Sequence, residues 1–234
     1  MIKKHIPNAL TTGNVLSGTV GIIFCFQGDL VMAAALMLLG AIFDFFDGFA
    51  ARLLKVASPI GKELDSLADM VSFGVLPGMI AYHLLLKEAP HPYFPYVALL
   101  IPAFSALRLA KFNVDTRQSD RFIGVPTPAN ALLFGSLPVI AEVNPAYAPL
   151  VYNPWLLAGV AIVMSFLLVS ELPLIAMKFK TFGWKKNEFR FVLLGLSCVF
   201  IVLFKVLAIP MIVITYILLS IMETIVHKDS KEKQ

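Results

Sequence analysis

Four aspartates, Asp44, Asp47, Asp65 and Asp69, stand within 26 residues of an otherwise oily chain, in the stretch FDFFDGFAARLLKVASPIGKELDSLAD. The first pair is spaced i,i+3 and the second i,i+4, so each pair lies on one face of its own helix. Between them lie Gly48, Ala51, Arg52, Ser58 and Gly61, small residues and a cation that fit a helix–turn–helix. Four carboxylates converging from two helices offer only oxygen ligands, which suits hard divalent cations. A metal held there serves either transport across a membrane or the activation of a phosphate. Arg52, Ser58, Gly48 and Gly61 favour the second use. Arg52 can fork onto a phosphate oxygen, and Gly48 lets a bulky group approach the helix backbone. No Walker loop or dinucleotide-binding glycine fingerprint is present. His5, His83, His91 and His227 are scattered, and none is set beside a serine or cysteine nucleophile.

The elements that must position these carboxylates are hydrophobic. The chain has 234 residues, 59% hydrophobic and 15% charged, with a mean hydropathy of +0.83. A soluble domain carries more charge, and several apolar runs here approach the roughly 20 residues that cross a bilayer as a helix. The pattern predicts an all-α integral membrane protein with about eight transmembrane helices and both termini cytoplasmic. The expected spans are 6–26, 30–54, 63–86 (interrupted near Gly74–Gly78 by Pro77), 96–109, 126–142, 154–177, 189–205 and 208–226. A polar segment from Arg108 to Gly124 follows the fourth, and a charged tail begins at His227. One domain covers residues 1–234, with core spans over about 6–178 and two further spans over 189–226. Cys25 and Cys198 lie in apolar runs and imply no disulfide framework. No cleavable signal peptide is expected.

With both termini inside, seventeen of the nineteen Lys and Arg fall on the cytoplasmic side, leaving Lys87 and Lys205 outside. That bias is what the positive-inside rule requires. The net charge of +4 therefore reads as topology and not as nucleic-acid binding, and the basic inner face favours anionic lipid headgroups. The expected location is the cell (plasma) membrane, multi-pass, with the active site facing the cytoplasm. Asp44 precedes Arg52 by eight residues, a depth of about 12 Å. A carboxylate at such a depth is costly unless paired or metal-bound. Salt bridges from Arg52, Lys55 and Lys62 are the alternative to metal, although three cations at helix ends do not readily reach four buried acids.

The pattern Asp44-x2-Asp47-Gly48-x2-Ala51-Arg52-x8-Gly61-x3-Asp65-x3-Asp69 resembles, without a departure, the signature of the CDP-alcohol phosphatidyltransferases. The resemblance implies an integral membrane enzyme that moves a phosphatidyl group from a CDP-linked lipid to a small alcohol and releases CMP. It implies two divalent cations, Mg2+ or Mn2+, held by Asp44, Asp47, Asp65 and Asp69, with Asp65 touching both and Asp69 serving as general base. Gly48, Arg52 and Ser58 are implied as CDP-lipid contacts. The polar entry to the first span, Pro7-Asn8-Ala9-Leu10-Thr11-Thr12-Gly13-Asn14, resembles the family's and adds Thr11, Thr12 and Asn14 as cytidine or diphosphate contacts. A homodimer is implied by the same resemblance.

The acceptor is read elsewhere. Leu107–Asn113 and Phe122–Asn130 resemble the phosphatidylserine synthase branch of that family, implying L-serine as acceptor and CDP-diacylglycerol or an archaeal CDP-ether lipid as donor. Serine offers a carboxylate and an ammonium, so its pocket needs a cation and acceptors. Arg108 is the first candidate for the carboxylate, with Lys111, Arg117 and Arg121 behind it, and Asn113, Thr127 and Asn130 supply hydrogen bonds. Glycerol-3-phosphate or inositol-phosphate acceptors would draw on the same arginines and stand as alternatives. A divalent-cation transporter is the alternative from another class.

Overall fold

The computed structural model describes residues 5–56, 58–115, 122–175, 183 and 187–232. Helix α1 (Ile6–Phe26) opens with Pro7 in its first turn, where a missing N–H costs nothing. Its polar residues tolerate an apolar setting because Thr12, Ser17 and Thr19 donate to carbonyls four residues back, each at 2.8 Å. Gly28, at φ +83°, turns the chain, and Asp29 caps α2 (Leu30–Leu54) by accepting from the Met32 amide at 2.8 Å. Helix α2 ends on a left-handed Lys55, φ 54°. The Lys55 and Val56 amides return to the Arg52 and Ala51 carbonyls, a Schellman closure built without glycine. Ser58 then caps α3 (Pro59–Asp69), accepting from the Gly61 amide at 3.1 Å with Pro59 in the first turn. These local signals set the hairpin that carries both aspartate pairs.

The third span is where backbone geometry departs from a plain helix. Helix α3 passes into a π-helical turn, Met70–Val75, immediately after Asp69, and α4 (Leu76–Leu86) follows with Pro77 in its first turn. Pro77 cannot donate to the carbonyl four residues back and its ring crowds that turn. The widened turn, with the Leu76 amide reaching Val71, absorbs the misfit. The expected interruption at Gly74–Gly78 thus begins earlier, at Met70.

A 3-10 turn (Phe94–Leu99) leads into α5 (Leu100–Val114), which continues five residues beyond the expected end at Leu109 and holds Lys111 and Asn113 on regular helix. The extension is anchored on α3, because Lys62 Nζ donates to the Asn113 carbonyl at 3.3 Å. Helix α6 (Thr127–Val143) is followed by a short turn and α7 (Ala148–Val151), the chain bending by 120° there. Helix α8 (Pro154–Val169) stops eight residues short of the expected Met177. Pro173 disfavours helix at Leu172, and Pro173–Leu174 instead forms strand β2, antiparallel to β1 (Phe122–Ile123), in the register Phe122↔Leu174 and Ile123↔Pro173. This two-residue pairing is the one strand contact among the described residues of an otherwise helical fold. Helix α9 (Glu188–Phe204) packs against α10 (Ala208–Glu232). The break between them falls at Lys205, φ 50°, and α10 runs past the expected tail start at His227.

The protein is a helical, multi-pass membrane protein. Among the described residues five helical stretches are long and apolar enough to cross a bilayer, or six if the bent pair after Thr127 is one span, and Pro154–Val169 is a shorter apolar helix. The core is centred on Met37, Phe73, Leu76, Ile80, Ile101 and Phe134. Phe45, Leu53, Val163, Phe166 and Val202 point outward and are exposed, as lipid-facing side chains must be. The row Gly13–Ser17–Gly21 is used within the chain: Gly13 lies against Phe43 and Gly21 against Leu76.

Gly18 is the tightest crossing of α1. A β-carbon there would lie 2.9 Å from the Ser72 α-carbon, and the Ser72 hydroxyl donates to the Asn14 carbonyl at 2.9 Å beside it. Gly18→Ala is therefore expected to destabilise by about 1–3 kcal/mol through overpacking. Gly159→Ala, where a β-carbon meets nothing within 4 Å, is expected to be neutral. Thermal unfolding of the two detergent-solubilised variants checks the pair; equal melting temperatures would contradict this account of the crossing.

Candidate active site

The two helices that carry the aspartates scarcely approach each other along their backbones, whereas α1 packs on both. The carboxylates cross the gap. Ligand oxygens of Asp44 and Asp47 from α2 and of Asp65 from α3 all lie within 4.8 Å of one another. Asp44 is also within hydrogen-bonding range of both Asp65 and Asp69. Asp47 is 5% exposed, and its Oδ2 accepts from the Thr11 hydroxyl at 2.6 Å, with the Pro7 carbonyl 3.0 Å from the same hydroxyl. Thr11 thus ties the start of α1 to the carboxylate group and fixes the rotamer of Asp47.

Like charges at this spacing repel unless a cation or a shared proton lies between them. Among the described residues no lysine or arginine reaches ion-pair distance of any of the four carboxylates. The salt-bridge alternative through Arg52, Lys55 and Lys62 does not hold. Asp65 Oδ1 and Asp69 Oδ1 are buried and have no hydrogen-bond partner. Buried, unpartnered oxygens in an all-oxygen donor set fit a hard divalent cation, and Asp44, Asp47 and Asp65 form the group that can hold one. Asp69 sits one turn beyond Asp65, outside that triad.

The donor-side candidates divide. Arg52 folds back along α2, its guanidinium within 4 Å of the position a Gly48 β-carbon would occupy, so the two residues share one exposed patch. Ser58 spends its hydroxyl oxygen on the cap of α3. Gly61 lies where a β-carbon would be 3.3 Å from Asn8 Oδ1, which brings the start of α3 onto the start of α1. Thr12 is exposed and bonds the Asn8 carbonyl. Asn14 is fully buried one turn deeper, its side-chain oxygen and nitrogen unpartnered beside Gly40. Of the three polar residues at the entry to α1, Thr11 alone touches the carboxylates.

Two of the acceptor-side candidates, Arg108 and Lys111, share a second feature. Arg108 on α5 is 7% exposed, its Nε has no partner, and it lies within electrostatic reach of Asp69. It lines a cavity of about 290 Å³ together with Lys111, Asp115, Ile123 and the run Leu168–Glu171. Lys111 pairs with Glu171 at 3.9 Å. Asn113 is engaged elsewhere, its amide donating to Ser66 Oγ at 2.9 Å. Thr127 and Asn130 on α6 are buried, and their hydroxyl and amide groups are unpartnered. Arg117 and Arg121 lie outside the described residues. Asp115, Ser170 and Glu171 are absent from the residues expected from sequence. The Ser-Glu pair interrupting the apolar run after Leu168 was the one signal for them.

A family model for CDP-alcohol phosphatidyltransferase matches residues 4–169. The chain is 37% identical over 169 residues to the CDP-diacylglycerol–serine O-phosphatidyltransferase of Bacillus subtilis, covering 72% of this chain and 89% of that one. It is 35% identical over 198 residues to the enzyme of the same name from Helicobacter pylori, covering 83% and 81%. It is 31% identical over 173 residues to the archaetidylserine synthase of Methanothermobacter thermautotrophicus, covering 71% and 68%. The uncompensated carboxylate group, its position in a membrane helix hairpin and these matches together make this chain a member of the CDP-alcohol phosphatidyltransferase family.

Proposed function

We propose that this protein transfers the phosphatidyl group of a CDP-lipid, CDP-diacylglycerol or its archaeal ether counterpart, to the hydroxyl of L-serine, yielding phosphatidylserine or its ether analogue and CMP. One observation carries the choice of serine. Arg108, buried and with an unpartnered Nε, opens onto a cavity that also holds Lys111, Asp115 and Glu171. Cations and acids around one small space match the carboxylate and ammonium of an amino acid. A phosphorylated alcohol has no use for the acids, and choline or ethanolamine would be repelled by Arg108.

In this reading Arg108 and Lys111 bind the serine carboxylate, Glu171 and Asp115 accept from its ammonium, and Thr127 and Asn130 complete the hydrogen bonding. Arg117 and Arg121 are proposed as further cations for the carboxylate, whereas Asn113 ties α5 to Ser66. Asp69 accepts the hydroxyl proton at Oδ1 as the oxygen attacks the lipid-proximal phosphorus and the bond to CMP breaks. Arg52, beside Gly48, holds the diphosphate by its guanidinium fork; Ser58, Thr12 and Asn14 are further contacts on the donor side. Asp44, Asp47, Asp65 and Asp69 would hold two divalent cations, Mg2+ or Mn2+, which would neutralise charge on the diphosphate and the departing CMP. Thr11 keeps Asp47 turned toward that group.

The proposal includes the topology. Eight spans follow if the Glu188–Val226 stretch is two helices. Its 39 residues would extend about 58 Å unbroken, too long for one crossing, and it breaks at Lys205. With α6 and α8 each crossing once, both termini and the carboxylates face the cytoplasm of the plasma membrane, in one domain of the whole chain. A homodimer rests on the family resemblance.

The test is the purified protein with CDP-diacylglycerol and either serine or ethanolamine. Serine is expected to be the strongly preferred acceptor, and Arg108→Ala to raise the KM for serine roughly 10- to 100-fold while sparing that for CDP-diacylglycerol. Transfer to glycerol-3-phosphate or inositol phosphate with none to serine would sink the acceptor assignment. Asp69→Asn is expected to lower kcat by about 10²-fold or more with Mn2+ binding largely retained, whereas Asp65→Asn loses both. Calorimetric titration of Mn2+ into each variant, beside CMP release, separates the two roles. Metal flux into sealed vesicles without CDP-lipid, and no CMP release with any alcohol, would instead favour a transporter.

A further inference from the structure

Helix α10 lies outside the 4–169 region that the family model matches, yet it holds one wall of the Arg108 cavity. Two of its side chains, four residues apart and so on one face, take both backbone groups of a single residue. The Tyr216 hydroxyl donates to the Ile175 carbonyl at 3.1 Å, and the Ile175 amide donates to Ser220 Oγ at 3.2 Å. Ser220 gives its own proton to the Tyr216 carbonyl at 2.7 Å, so its oxygen is oriented to accept. Ile175 is 1% exposed and Ser220 fully buried. In that setting each bond satisfies a group that water cannot.

Ile175 is the end of a laced segment. Just before it, Pro173 and Leu174 pair with Ile123 and Phe122. The Gly124 amide donates to the Leu172 carbonyl and the Val125 amide to the Leu167 carbonyl, each at 3.0 Å. Gly124, at φ +74°, packs so closely on the Leu168 and Ser170 carbonyls that no side chain fits. Leu168–Glu171 and Ile123 are the cavity wall facing Arg108 and Lys111 on α5. The wall is therefore held at one end by α8, along its length by β1, and at its far end by Tyr216 and Ser220.

We propose that Tyr216, with Ser220, is a positioning residue for the acceptor amino acid: α10 sets the distance between the Leu168–Glu171 wall and the Arg108–Lys111 face. Neither residue touches the reacting atoms. The inference rests on the serine-transfer reading and extends it to a helix outside the matched family region.

The experiment uses the full-length protein in mixed micelles with CDP-diacylglycerol, varying serine and donor in turn. Tyr216→Phe keeps the ring and removes the one hydroxyl, and Ser220→Ala removes the other partner. Each is expected to raise the KM for serine roughly 3- to 10-fold, the scale of one hydrogen bond, with the KM for CDP-diacylglycerol and kcat within twofold of wild type. Ser197→Ala on α9, whose hydroxyl bonds its own helix at Leu193, controls for general loosening of the α9–α10 pair and is expected to change nothing. Parallel loss of kcat and of both KM values, tracking a lowered melting temperature, would mean a purely structural role and overturns the inference. An unchanged KM for serine in both variants of a serine-active enzyme overturns it alone. A wild-type protein inert toward serine overturns the acceptor assignment and this inference with it.

Discussion

Everything in this structure answers to the mutual repulsion of carboxylates held inside a membrane protein. Oxygens of Asp44, Asp47 and Asp65 meet within 4.8 Å. At that spacing, with an effective dielectric near 20, each ionised pair repels by about 3 kcal/mol. Among the described residues no lysine or arginine offsets it. Apposed helices left to themselves would relax by moving apart, and α2 and α3 already scarcely touch. What holds them is α1, wedged against both, with Thr11 on Asp47 and the Gly18–Ser72 crossing beneath. The fold keeps a charge density that a divalent cation held by Asp44, Asp47 and Asp65 would relieve.

The π-helical turn after Asp69 belongs to the same constraint. It rotates the α4 half of the third span relative to the α3 half. The two halves then serve different neighbours: α3 turns its acids to the cleft, while Leu76, Ile80 and Leu84 fill the core. A straight helix carries one face throughout its length. The widened turn costs some hydrogen-bond quality, which Pro77 has already forfeited. Such turns recur at functional sites, and here the turn begins immediately after the residue proposed as the base.

The proposed reaction divides the molecule into a donor half and an acceptor half. Helices α1 to α3 hold the charged centre, close to one end of the bundle, so a lipid donor can reach it from the bilayer and keep its tails there. The acceptor cavity is assembled from α5, the β1–β2 pair and the exit of α8, parts that lie far apart in the chain and meet through helix packing, the Lys111–Glu171 pair and backbone pairing. Arg108 joins the halves, lining that cavity while remaining in electrostatic reach of Asp69.

The aspartate pairs, their two helices and the turn between them were legible in sequence because each depends on short-range rules. The i,i+3 and i,i+4 spacings, the Ser58–Pro59 cap and the apolar run lengths act within a few residues, and α1 and α2 begin and end where the residues say they should. Arg108 was legible through the resemblance of Leu107–Asn113 to the serine branch and the cations that cluster after it. The extension of α5 to Val114, the early end of α8 and the β1–β2 pair were not, because each is set by partners about fifty residues away: Asn113 by Ser66 and Lys62, Pro173 by Ile123. Asn113 was expected to face the acceptor and instead ties α5 to α3, a choice that only the packing of the two helices makes. The part of α10 was equally out of reach. Tyr216 and Ser220 are ordinary residues in an apolar helix until Ile175 arrives with two backbone groups for them to satisfy. Sequence spacing determined where the charges stand on each helix, and tertiary structure alone decided which distant backbone would close the pocket around them.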